Sequence, residues 1–212
     1  MIVIFDLDGT LVDSAPDIHV AVNRMLADEG LRPLDLPTVT GFIGNGLPRL
    51  VERVMVARSI DLSRHGVLTQ VVLGYYNAAA SVLTRPFPGV PQALMALRAA
   101  GHSLAVCTNK PQVPAQAVLA ELGLAPYFPV VIGGDALPVT KPDPAPALAC
   151  IDALGGGPAA YVGDSEVDAA TAAAGLPFFL FTEGYRKAPV SALPHRAAFA
   201  DFADLPGLIA GL

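Results

Sequence analysis

The sequence predicts an α/β protein: a doubly wound parallel sheet with a helical segment inserted after its first strand. Three observations lead there. The chain opens on Ile2-Val3-Ile4-Phe5, an apolar run that goes straight into Asp6-Leu7-Asp8-Gly9-Thr10. Such a run reads as a strand buried on both faces, as parallel strands are. From residue 84 onward, strand-like and helix-like stretches alternate, the signature of βαβ units. In between, residues 15–83 carry helical periodicity and no strand signal.

Each element follows in order. Pro16 to Glu29 is helical in pattern: Ile18, Val22, Met25 and Leu26 share a face, Ser14 or Asp17 can cap the start, and Gly30 stands where a C′ glycine belongs. Residues 31–46 read as loop, with Pro33, Pro37 and the stretch Gly41-Phe42-Ile43-Gly44-Asn45-Gly46. Leu47, Leu50, Val51 and Val54 have helical spacing, and a third helix covers roughly Gly66 to Leu83. Thr84-Arg85-Pro86-Phe87-Pro88-Gly89-Val90 is dense in Pro and Gly and marks a boundary. Then come a helix from Pro91 to Ala100, a strand from Ser103 to Cys107, and a helix from Val113 to Leu122. A strand from Pro129 to Ile132, a helix from Pro144 to Leu154 and a strand from Ala159 to Val162 continue the alternation. A helix from Val167 to Ala174, a strand from Phe178 to Phe181 and a short helix from Ala203 to Leu212 close it. The expected organisation is an α/β core from 1–14 and 84–212, with 15–83 as an inserted helical domain.

Composition narrows the class. Only 15% of the 212 residues are charged and 53% are hydrophobic, much of the excess being Ala. The net charge is −6 and no basic stripe exists, which argues against nucleic acid and anionic membrane as partners. Mean hydropathy is +0.52, yet no run of about 18 uncharged apolar residues occurs, so a spanning helix is not expected. The N-terminus has no basic start, and Asp6 and Asp8 interrupt its apolar run, unlike a signal peptide. The expectation is a soluble cytoplasmic protein, monomer or homodimer. Cys107 and Cys150 lie in apolar elements without metal-ligand spacing and read as core residues.

The chemistry sits at strand ends. Thr108-Asn109-Lys110 follows one strand, Lys141-Pro142 the next, and Gly163-Asp164-Ser165-Glu166-Val167-Asp168 a third. The carboxyl ends of parallel strands share one edge, so Asp6, Asp8, Thr108, Lys141 and Asp164 can converge. Asp168, four residues after Asp164, can face the same place. Asp6, Asp8, Asp164 and Asp168 outnumber Lys141, and so many carboxylates do not stay ionised together in a cleft without a cation. All-oxygen donors select a hard ion, which points to Mg²⁺. A lysine, a threonine hydroxyl and a divalent ion suit a phosphoryl group, for which an Asp carboxylate is a credible nucleophile.

These residues resemble the haloacid dehalogenase superfamily of phosphohydrolases over essentially the whole chain. Asp6-Leu7-Asp8-Gly9-Thr10 looks like its first motif, with Thr108, Lys141 and Gly163–Asp168 as its second, third and fourth. The resemblance implies a Rossmann-like core with a helical cap, residues 15–83. It implies that Asp6 attacks phosphorus and that Asp8 serves as acid and then base. Thr108, Asn109 and Lys141 would hold the phosphoryl group. Mg²⁺ would be bound by Asp6, the backbone carbonyl of Asp8 and Asp164, with Asp168 in support.

Other residues read more plainly. Asp13 and Asp17 suit turns or helix caps, the four histidines surface or structural places, and Tyr75-Tyr76 helix packing. For the substrate, the glycine-rich loop entering a helix at Leu47 offers amides to an anion, and Arg49 one turn in can add a charge. Gly44, Asn45, Gly46 and Arg49 are therefore candidates for a leaving-group carboxylate; the competing reading is a plain turn with a solvated Arg49. Together with Thr108–Pro111 and Arg85–Val90, this loop looks like the phosphoglycolate phosphatase branch, which implies 2-phosphoglycolate as the small phosphorylated metabolite. A phosphatase of another small metabolite and a phosphosugar mutase stay open. Asp8 argues against a haloacid dehalogenase proper. The absence of Lys from 15–83 argues against a phosphonate hydrolase, and the inserted helices against a receiver-like phosphoacceptor.

Overall fold

The computed structural model describes residues 1–78 and 81–212. The chain runs β1 (Ile2–Phe5), β2 (Val12–Asp13), α1 (Ala15–Asp28), α2 (Leu36–Thr40), α3 (Leu47–Ala57), α4 (His65–Asn77) and β3 (Arg85–Pro86). It continues with α5 (Val90–Ala99), β4 (Ser103–Cys107), α6 (Gln112–Glu121), β5 (Val130–Ile132), α7 (Ala145–Ala153) and β6 (Ala159–Gly163). The last elements are α8 (Glu166–Ala172), β7 (Phe178–Phe181), β8 (Ala197–Phe199) and α9 (Leu205–Ala210). Six strands form one parallel sheet in the order β5-β4-β1-β6-β7-β8.

The opening run is apolar throughout because β1 lies at the centre, paired with β4 on one side and β6 on the other. Its side chains alternate between two layers, as strand geometry requires. Val3 and Phe5 belong to one buried cluster with residues of α5, α6, α9 and the inserted helices. Ile2 and Ile4 pack with Ala147 and Cys150 of α7 and Ala169 and Ala172 of α8. Cys107 and Cys150 are buried and unbridged. The chain moves outward from β1 to β4 and β5, then returns to the other flank with β6. The crevice at this reversal, beyond the carboxyl ends of β1 and β6, is where open α/β sheets place ligands.

Helices α1 to α4 leave and rejoin the sheet at one place. β2 and β3 pair antiparallel, Val12 with Pro86 and Asp13 with Arg85, so the two crossings form a short ribbon. Asp17 reinforces it: its carboxylate accepts from the amides of Leu83 and Thr84 and from the Thr84 hydroxyl. Asp17 is therefore not a helix cap; Ser14 stands at the N-cap position of α1, but its hydroxyl turns to Asp8 and makes no capping bond. Asp13 accepts from the Tyr185 hydroxyl. For Asp13 and Asp17 a partner far along the chain takes the carboxylate, and for Ser14 the nearby Asp8 takes the hydroxyl.

Other differences have simple causes. α2 occupies part of the expected loop, capped by Asp35 accepting from the Thr38 amide; one turn is too short to show a period. β8 is Ala-rich and edge-placed, so it lacks the β-branched signal. α4 ends at Asn77 and Ser81–Leu83 are not helical; residues 79 and 80 of the expected helix lie outside the described residues. Among the described residues, no helix is long and apolar enough to cross a membrane.

Candidate active site

Asp6 is the first residue after β1, and the parallel register fixes what surrounds it. Thr108 follows β4, and Asp164 follows β6. Lys141, only 3% exposed, enters from the long loop after β5, and its Nζ lies 2.8 Å from Asp6 Oδ1 and 2.7 Å from Asp168 Oδ1. Asp8 stands two residues on, its Oδ1 accepting from the Ser14 hydroxyl at 2.6 Å. The expected core residues thus meet at one edge of the sheet.

Asp164 is held on every side. Its Oδ1 accepts from the Thr10 hydroxyl at 2.8 Å and its Oδ2 from the Tyr185 amide at 2.6 Å. Gly9, at φ +89°, has no room for a side chain: a Cβ there would meet Asp164 Oδ2 at 2.7 Å and the Tyr185 ring at 2.8 Å. Gly184 is similarly pressed against Asp164 and the Gly9 carbonyl. Asp168 is sealed beneath. Its Oδ1 accepts from Lys141 and its Oδ2 from the Ser165 amide and hydroxyl.

The electrostatics call for a cation. Carboxylate oxygens of Asp6, Asp164 and Asp168 lie within 4.8 Å of one another, all buried. Burial pushes the Asp6 carboxyl up to about 7, with Lys141 opposing and Asp168 adding to the rise. Burial and the neighbouring Asp168 and Asp6 push Asp164 well above the carboxylate range. Burial works against the Lys141 ammonium, yet Asp168 and Asp6 hold its pKa above the ordinary lysine value. The cluster is therefore short of positive charge, and an oxygen-only donor set suits a hard divalent ion. Asp164 and Asp168 each accept from protein donors through both oxygens, whereas among the described residues Asp6 is paired through Oδ1 alone, so its Oδ2 has capacity to spare.

A second lysine revises the charge count made from the sequence. Lys110 Nζ lies 2.9 Å and 3.1 Å from the two Asp8 oxygens and is buried. Two lysines now face Asp6, Asp8, Asp164 and Asp168, which leaves a deficit that one divalent cation would match. The sequence hid this role because Lys110 and Asp8 are 102 residues apart.

A cavity opens above these groups. Asp6, Asp8, Thr108 and Lys110 line one end, and Ile18, Leu47, Leu50, Val72 and Tyr76 the apolar wall. Gly44 and Gly46 also line it. Asn109 ties this loop to the sheet: its Nδ2 donates to the carbonyls of Gly44 and Lys141, so its amide group is spent on scaffolding. Asn45 is not among the residues lining the cavity; its Oδ1 accepts from Arg53, which also donates to the Phe42 carbonyl. Arg49 is not brought to the site. Its side chain is 58% exposed and pairs with Glu52, because α3 turns Leu47, Leu50 and Val51 inward and Arg49 outward. Tyr76 packs in the buried core, as expected, and also lines the cavity. The histidines serve elsewhere: His19 contacts the Leu34 carbonyl and His65 that of Pro48.

Comparison with known proteins agrees with this architecture. The haloacid dehalogenase-like hydrolase family model matches residues 1–175. A phosphoglycolate phosphatase of Cereibacter sphaeroides is 51% identical over 98% of this chain and 96% of its own length. One from Rhodobacter capsulatus is 46% identical over 98% and 96%. The crystal structure of a predicted phosphoglycolate phosphatase from Haemophilus somnus superposes with a TM-score of 0.91 at 32% identity, covering 98% of this chain and 97% of that one.

Proposed function

The chain belongs to the haloacid dehalogenase-like hydrolase family, and from that premise we propose that it hydrolyses 2-phosphoglycolate to glycolate and phosphate with Mg²⁺. Relatives 46% and 51% identical to it bear the name phosphoglycolate phosphatase. The observation that carries the reaction type is the meeting of Asp6 and Asp8 with Lys141, Thr108 and Asp164 at the carboxyl ends of β1, β4 and β6.

In this reading a carboxylate oxygen of Asp6 attacks phosphorus. The phosphorus–ester oxygen bond breaks, and Asp8 delivers a proton to the leaving oxygen. Asp8 then takes a proton from water as that water attacks the aspartyl phosphate, which frees phosphate and restores Asp6. Lys141 fixes Asp6 and, with the Thr108 hydroxyl, faces the phosphoryl oxygens. Asp6 and Asp164 would hold Mg²⁺, with Asp168 setting the position of Lys141 and Ser165. The ion supplies charge stabilisation at the phosphoryl group. Residues 15–83 act as a cap that shields the site from water and bounds the leaving group, and residues 1–14 with 84–212 act as the core.

A panel of phosphomonoesters, assayed with and without Mg²⁺, tests the assignment. A preference for 2-phosphoglycolate supports it, and equal turnover of all esters counts against the substrate. Asp6→Asn keeps the shape and removes the nucleophile; full activity in that variant would overturn the mechanism.

A further inference from the structure

Lys110 is 7% exposed. Lysines are almost never buried unless paired, and its Nζ has Asp8 at 2.9 Å on one side. On the other lies the ring of Tyr76, whose centre is 4.3 Å away. Among the described residues lining the cavity, Lys110 is the one cation, since Lys141 is sunk between Asp6 and Asp168. Tyr76 reaches the cavity from α4. Among the described residues its hydroxyl is buried and makes no hydrogen bond, a costly state for a polar group. A cation and an unpaired donor thus face one apolar-walled space.

We propose that Lys110 Nζ and the Tyr76 hydroxyl form a subsite for a carboxylate carried on the leaving group. The placement follows from Asp8. A group that protonates the ester oxygen must lie within hydrogen-bond reach of it, and Lys110 is hydrogen-bonded to that same carboxylate. The ammonium therefore stands within two hydrogen bonds of the ester oxygen, through the Asp8 carboxylate, in reach of a carboxylate on the adjacent carbon. An anion there answers both features, giving Lys110 a second partner and the Tyr76 hydroxyl its first. A neutral alkyl group would match the apolar wall and leave that hydroxyl unpaired. The inference rests on the phosphoglycolate reading and deepens it, moving the recognition that the sequence suggested for Arg49 onto Lys110. The subsite is shared between the loop after β4 and helix α4, so it is complete only with the inserted helices seated against the sheet.

The test compares 2-phosphoglycolate with ethyl phosphate, which lacks the carboxylate, in the Mg²⁺-loaded protein and its Lys110→Met and Tyr76→Phe variants. The ratio of kcat/KM for the two esters should fall roughly 10- to 100-fold in Lys110→Met, as for loss of a hydrogen bond to a charged group. It should fall about 3- to 10-fold in Tyr76→Phe, which retains the Lys110–Asp8 pair, with the loss lying mainly in KM for 2-phosphoglycolate. Competitive inhibition of ethyl phosphate hydrolysis by glycolate should weaken in parallel. An unchanged ratio in both variants overturns the subsite, and an unchanged ratio in Tyr76→Phe alone does so if Lys110→Met fails to fold. Failure of the substrate reading is seen separately: there, the unmodified protein itself has no preference for 2-phosphoglycolate.

Discussion

Lys141→Met removes the cation on which Asp6 and Asp168 depend. The lysine is nearly fully buried, with Nζ 2.8 Å and 2.7 Å from the two carboxylates. Methionine fills a similar volume, so the packing loss is small and the electrostatic loss dominates. Breaking a buried ion pair by removing one partner costs about 3–5 kcal/mol, because a buried charge is left uncompensated. The deficit should depend on pH with a definite sign. In the variant, Asp6 loses the neighbour that pulls its pKa down, so its folded-state pKa rises further above the ordinary 3.8. The folded variant then binds more protons than the unfolded chain over a wider range, and its stability falls more as pH rises. Urea unfolding in EDTA should therefore give a deficit of about 3–5 kcal/mol near pH 8 that shrinks as pH falls. A deficit below about 1 kcal/mol at pH 8, the level of an exposed pair, would refute the reasoning. So would a deficit that does not change with pH.

Other perturbations test neighbouring parts. In the metal-free protein the folded pKa of Asp6 is about 7 against an ordinary 3.8, so stability should fall on the order of 4 kcal/mol as pH rises across that window. Saturating Mg²⁺ should flatten this slope in thermal unfolding, and a slope indifferent to Mg²⁺ would count against the cation site. Gly184→Ala forces a methyl against Asp164 and the Gly9 carbonyl. It should cost about 1–3 kcal/mol and raise the Mg²⁺ concentration for half activity about 10- to 100-fold; an unshifted Mg²⁺ titration would show that Asp164 is not the ligand. Arg49→Ala should change stability by no more than about 0.5 kcal/mol and leave kcat/KM for 2-phosphoglycolate within about twofold. A large rise in KM would return Arg49 to the substrate.

How much of this was legible in the sequence depends on the reach of each signal. The opening strand and its two aspartates could be read because burial on both faces leaves an unbroken apolar run, and carboxylates at its end are conspicuous. Thr108, Lys141 and Asp164 followed from the same logic applied to later strands. Lys110 did not, since nothing local distinguishes a buried lysine from a surface one, and its partner Asp8 is far away in the chain. Tyr185 and Gly184 were hidden for the same reason: they brace Asp164 from a loop after β7. Arg49 and Arg53 share a helix, and only the packing of Leu47, Leu50 and Val51 decides that neither points into the cavity. The two-residue strands β2 and β3 are too short to have a period, yet they tie the inserted helices to the sheet.

The central claim is that Asp6 carries the phosphoryl group between substrate and water. The stereochemical course at phosphorus tests this most directly, using an isotopically chiral thiophosphate ester hydrolysed in labelled water. Two successive in-line displacements, first by Asp6 and then by water, predict net retention of configuration. Net inversion would mean a single attack by water and would contradict the account.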